Sequence, residues 1–161
     1  MDDFSSTRCV LPMLRNLRKI FGVEREPVEA AEAAPLRPRS PDGHKLLTHT
    51  SIGQTLVVTV VEPELRGELA SDVCHEIRAL YAQAAGVRHV VIDMENIRYC
   101  DSAGLNQMVD LLASVKKRHG RIGIGAATPH VEVLFKLTRL ELVFTIRRSV
   151  IEAIDAVSRK D

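Results

Sequence analysis

From Lys45 onward, apolar and polar positions follow two different rhythms. Leu46–Ile52 and Thr55–Val61 are short apolar runs rich in β-branched residues, separated by Gly53-Gln54. That pattern predicts a β-hairpin. Pro63 ends the second strand, because it has no amide to give to a ladder. Leu65, Leu69, Val73, Ile77, Leu80 and Ala84 then recur at helical spacing, and Gly86 stops the run. Gly67 falls in the first turns and leaves the start of this helix open. Val90–Met94 is a continuous apolar strand of the kind buried on both faces.

A second helix is predicted over Ser102–His119. Leu105, Met108, Val109, Leu112 and Val115 form its apolar stripe, and Gly120 is its stop. Arg121–Ala127 reads as a strand. Pro129 opens a short helix with Val133, Leu134 and Leu137 inward, proline being well tolerated in a first turn. Leu142–Ile146 is the last predicted strand. Ser149 and Glu152 have capping-box spacing ahead of a final helix carrying Ile151, Ile154 and Val157. The order β-β-α-β-α-β-α-β-α requires crossovers, hence an α/β fold with a mixed, mostly parallel sheet and helices packed against it.

The region before Lys45 differs. Leu11, Leu14, Leu17 and Phe21, interleaved with Arg15, Arg18 and Lys19, fit a short amphipathic helix. Such a helix suits a membrane surface or a partner, against the plainer reading of a frayed terminus. Charges interrupt its apolar stretch, so it does not read as a signal peptide. Pro27, Pro35, Pro38 and Pro41 with intervening alanines make Pro27–Pro41 a linker. Residues 1–44 are therefore expected to be a flexible extension and residues 45–161 a folded domain.

Composition narrows the function. Lys and Arg total 22 against 21 Asp and Glu, a net charge of +1 that offers no excess of cations for nucleic-acid phosphates. Aromatic residues are 4% and Trp is absent, which removes a base-stacking platform. No apolar run reaches the roughly 18–20 residues that cross a bilayer, so direct membrane insertion is not expected. Cys9, Cys74 and Cys100 lack Cys-x-x-Cys spacing and read as reduced, buried thiols of a cytoplasmic chain. His44, His49, His75, His89, His119 and His130 are scattered, with no metal-binding spacing. No cofactor is expected. Gly123-Ile124-Gly125-Ala126-Ala127 lacks the third glycine of a dinucleotide loop and sits within a strand, so close backbone packing is the better reading. The basic run Lys116, Lys117, Arg118 and His119 reads as a solvated helix end.

The most informative segment is the turn from Val90-Val91-Ile92-Asp93 into Asp101-Ser102-Ala103-Gly104-Leu105. Asp101 is placed to cap the second helix, and Ser102 to occupy its first position near the positive end of the dipole. A hydroxyl there suits phosphorylation, which adds about −1.5 to −2 charges. The small residues Ala103 and Gly104 are read as leaving room for another surface. As a nucleophile, Ser102 lacks Gly-x-Ser-x-Gly context and an assignable base, so enzyme activity is not expected.

Here the chain resembles the STAS domain family, the fold of bacterial anti-sigma factor antagonists. Asp101–Leu105 looks like its phosphorylation-site signature. Gly120-Arg121-Ile122-Gly123-Ile124 and Thr128–Leu140 are similar to its later strand and short helix with an x-L-F-x-x-x-x-L pattern. The resemblance implies a non-enzymatic, partner-switching phosphoprotein of signal transduction and transcription regulation. Its partner would be an anti-sigma factor that is also a serine kinase of the histidine-kinase-like ATPase type. That kinase would phosphorylate Ser102, and a phosphatase would restore binding. Asp101, Ala103, Gly104, Leu105 and Asn106 are the implied partner-binding residues. The alternative is a constitutive, unphosphorylated scaffold subunit of a membrane transport or signalling complex. One departure stands out: members often carry Gly-x-Leu-Asp after the second strand, whereas Gly67-Glu68-Leu69 is followed by Ala70, and Glu62-Pro63-Glu64-Leu65 offers another strand exit.

Overall fold

The predicted hairpin forms with a two-residue turn. β1 (Leu47–Ile52) pairs antiparallel with β2 (Thr55–Val60), and Ile52 faces Thr55 across it. Gly53 takes φ +58°, a conformation that glycine supplies without a Cβ penalty. The structure, a computed structural model, describes residues 45–159. The expected amphipathic segment Leu11–Phe21, the linker Pro27–Pro41, Cys9 and His44 lie outside the described residues.

After β2 come β3 (Glu64–Leu65), α1 (Gly67–Gln83), β4 (His89–Asp93), β5 (Tyr99–Cys100) and α2 (Ser102–Lys117). β6 (Ile122–Gly125), α3 (Pro129–Leu137), a 3-10 turn (Leu140–Leu142), β7 (Thr145–Arg147) and α4 (Val150–Ser158) complete the order. The main sheet runs β1-β2-β4-β6-β7, parallel except for β1. β3 and β5 form a separate parallel pair. The expected alternation is thus present, with the two short strands added to it.

The parallel strands advance in one direction across the sheet, so right-handed crossovers put α1, α2 and α3 on one face. α4 covers the other, where Ala153 and Val157 pack with Val57 and Val91. There β6 shows nearly bare backbone. A Cβ on Gly123 would sit 3.0 Å from Val157, and one on Gly125 would sit 2.6 Å from the Cα of Val150. The glycines of this segment therefore serve close packing. Ser149 caps α4 by accepting from the Glu152 amide at 3.2 Å.

Three details depart from the sequence pattern. α3 buries Val131 and Phe135, while Val133 and Leu137 are 52% and 77% exposed. This helix carries two apolar i,i+4 stripes, and the one holding the larger ring wins: Phe135 meets Phe144 edge-on at 5.6 Å. Second, the strand expected over Leu142–Ile146 starts later, at Thr145. Arg139 turns left-handed at φ +57°, ends α3 and winds the chain into the 3-10 turn. Third, α2 stops at Lys117, and the left-handed residue is His119 (φ +56°), not Gly120. Gly120 is needed because a Cβ there would run into the Arg88 carbonyl oxygen.

Candidate functional site

The loop that leads to Ser102 is tied down step by step. Asp93 accepts from the Thr59 hydroxyl at 3.2 Å and from the Glu95 amide at 3.1 Å. The Asn96 amide group donates to the Val60 carbonyl at 3.1 Å. The Arg98 and Tyr99 amides both donate to the Pro63 carbonyl, at 2.8 and 3.3 Å, which starts the β3–β5 pair. Leu65 and Cys100 point inward from this pair and are buried.

Asp101 closes the turn. Its backbone is extended (φ −99°, ψ −179°), and its amide donates to the Leu65 carbonyl at 3.1 Å. Its side chain does two jobs. Oδ1 accepts from the Gly104 amide at 2.8 Å, the expected cap of α2. Oδ2 accepts from the Gly67 amide at 3.3 Å, at the first residue of α1. Arg66, at the N-cap of α1, has no side-chain acceptor to offer, and Gly67 itself is left-handed at φ +51°. One carboxylate thus serves the amino ends of two helices.

Ser102 is the first residue of α2 and is exposed. No hydrogen bond joins its hydroxyl to another of the described residues. Asp101, Ala103 and Asn106 are half-buried. Gly104 and Leu105, expected to meet a partner, are instead buried within the domain. The reading of Gly104 as space for another molecule is corrected likewise: its missing Cβ is filled by the Leu65 carbonyl and by Cys100 Sγ. Its small size lets β3 approach α2.

Sequence reasoning missed the β3–β5 pair that leads into the turn. Arg66 and Glu64 form an ion pair at 2.7 Å, and Tyr99 is 45% exposed beside them. β3 and β5 are too short to carry a periodic signal; the only hint is the polar-apolar-polar order Glu64-Leu65-Arg66. The basic end of α2 is more than a solvated helix end. Arg118 donates to the Tyr81 carbonyl at 2.6 Å and lies 4.5 Å over the Tyr81 ring. Tyr81 in turn donates its hydroxyl to the Arg88 carbonyl at 2.8 Å.

The two described thiols, Cys74 and Cys100, are buried. Burial pushes both Cys74 and Cys100 up to about 12, and for Cys100 the nearby Asp101 adds to it. A thiol in that state is neutral at physiological pH and a poor nucleophile.

The family model described as "Mlab, STAS domain" matches residues 52–146. The chain belongs to the STAS domain family. Solved structures share its fold. An anti-sigma-factor antagonist (STAS) domain protein from Planctomyces limnophilus is 21% identical at TM-score 0.62, covering 70% of this chain and 97% of its own. The anti-sigma factor antagonist SpoIIAA, in its unphosphorylated form, is 20% identical at TM-score 0.57, covering 69% and 95%. The phosphorylated form of SpoIIAA, a Bacillus cell fate determinant, matches at TM-score 0.53 with 19% identity, covering 69% and 98%. The murine anion transporter Slc26a9 is 15% identical at TM-score 0.57, with 67% of this chain covering 18% of the transporter. Among the described residues, no helix is long and apolar enough to cross a membrane.

Proposed function

We propose that this STAS domain is a non-enzymatic, protein-binding switch of the anti-sigma factor antagonist kind, controlled by phosphorylation of Ser102. The observation that carries the reading is the exposed serine at the first position of α2, next to a carboxylate already committed to two amides. In the reaction, a partner serine kinase of the histidine-kinase-like ATPase type transfers the γ-phosphoryl group of ATP to Ser102 Oγ. ADP leaves, and the hydroxyl proton passes to a base on the kinase. The modified surface gains charge and bulk, and a docked protein is repelled. A phosphatase reverses the change. The partner contacts are assigned to Ser102, Asp101, Ala103 and Asn106, with Gly104 and Leu105 acting beneath them as packing. The cytoplasm is the compartment where such a kinase and ATP meet.

The test is intact mass after incubation with the cognate kinase and ATP. One phosphate is expected, absent in Ser102→Ala. Ser102→Asp should weaken binding by about tenfold or more, and Ser102→Ala should keep it. An unmodified Ser102 under those conditions would sink the switch. A second reading is a constitutive scaffold subunit of a membrane transport or signalling complex; the fold match to part of an anion transporter favours it. Recovery of transport components and no kinase in a pull-down would decide for that reading.

A further inference from the structure

Building on the reading of Ser102 as the modified residue, we propose that Arg66 is a phosphate clamp. Once Ser102 carries phosphate, the Arg66 guanidinium leaves Glu64 and pairs with the phosphate oxygens.

The placement comes from the β3–β5 pair. Its register sets Glu64 opposite Tyr99 and Leu65 opposite Cys100, so the next step sets Arg66 beside Asp101. Hydrogen bonds on both sides of Arg66 fix this. The Leu65 carbonyl accepts from the Asp101 amide at 3.1 Å, and the Gly67 amide donates to Asp101 Oδ2 at 3.3 Å. Neighbouring strands lie about 4.8 Å apart, well within the length of an arginine side chain. The pleat sends Leu65 inward at 1% exposure and leaves Glu64 and Arg66 on the outer side.

The present partner is easily exchanged. The Arg66 and Glu64 side chains are 64% and 40% exposed, and such pairs contribute little. A phosphate carries about −1.5 to −2 charges against one on Glu64, and it accepts the guanidinium fork through two oxygens. Arg66 would also offset the repulsion between the phosphate and Asp101. Its consequence is regulatory: a clamped phosphate is partly neutralised and shielded, so Arg66 prolongs the modified state against the phosphatase.

The experiment installs phosphoserine at position 102 of the full chain during translation and follows its 31P resonance across pH. Arg66→Gln should raise the second ionisation of the phosphate by about half a pH unit over the otherwise unchanged chain. Glu64→Gln, which removes the competitor, should leave it as low or lower. In the phosphoprotein with Arg66 intact, the Arg66 Nε–H resonance should move as the phosphate titrates, a readout that needs no variant. Coincident titrations with and without Arg66, or an Nε–H that does not move, would overturn the clamp. Because the phosphate is installed without a kinase, these results are independent of the intact-mass experiment. Failure of the clamp leaves the switch standing, and failure of the kinase to modify Ser102 leaves the titration result as it is.

Discussion

α1 and α2 run parallel, and their two ends are fastened in opposite ways. At the amino ends, the Asp101 carboxylate bridges the Gly104 and Gly67 amides, with Ser102 exposed at its side. At the carboxyl ends, the Arg118 cation holds the Tyr81 carbonyl and ring, and Tyr81 holds Arg88. Each end carries the charge that suits free amides or free carbonyls. The difference lies in what surrounds the charge. The Arg118 end is built on a packed ring and a glycine pressed to backbone. The Asp101 end also presses a glycine, Gly104, to the Leu65 carbonyl, but its charge lies in a polar bridge, one bond of which is 3.3 Å long. Where the charge bridges two amides beside an exposed serine, an added charge can act at the surface without dismantling the core.

The sharpest way to break this comparison is to crowd the glycines under each end. A Cβ on Gly120 would collide with the Arg88 carbonyl oxygen, and one on Gly104 with that of Leu65. Both obstacles are backbone. Gly120→Ala and Gly104→Ala should each cost about 3 kcal/mol or more in urea unfolding. A loss below about 1 kcal/mol would show that the backbone yields.

Next comes Arg118→Ala, which removes a charged hydrogen bond and a cation–π contact at an exposed side chain. A loss of about 1–2 kcal/mol is expected by the same measurement. Asp101→Ala should lose about 1 kcal/mol through the α2 cap, with faster amide exchange at Gly104 and Gly67. Equal protection of Gly67 in both proteins would remove the bridge to α1.

The smallest effect is with pH. His89 Nδ1 accepts from the Arg121 amide at 3.2 Å. Burial, with Arg121 and Arg88 nearby, holds this imidazole below its ordinary value of 6.5. The unfolded chain therefore takes up the proton first, and stability should fall as pH drops below about 6.5 toward the folded value. In thermal unfolding at stepped pH, His89→Gln should flatten that decline.

What was legible in the sequence was local. Gly53-Gln54 makes the hairpin turn, and Asp101 and Ser149 cap their helices, because each of these effects acts within a few residues. What was not legible depends on distant partners. The second bond of Asp101 goes to Gly67, 34 residues away, and the Arg118 contact goes to Tyr81, 37 residues away. The buried face of α3 was decided by Phe144 rather than by spacing. Of the site, the serine and its cap were readable, whereas Arg66 and Glu64 needed a strand pair two residues long to bring them alongside.

The seating of α4 on the bare backbone of β6 has a consequence for biosynthesis. This helix leaves the ribosome after every strand of the sheet. Until it arrives, Val57 and Val91 lack the Ala153 and Val157 cover that they have in the finished domain. Completion of the fold thus waits on a late segment, and a chain cut before Ser149 would expose a sticky sheet face to other nascent chains.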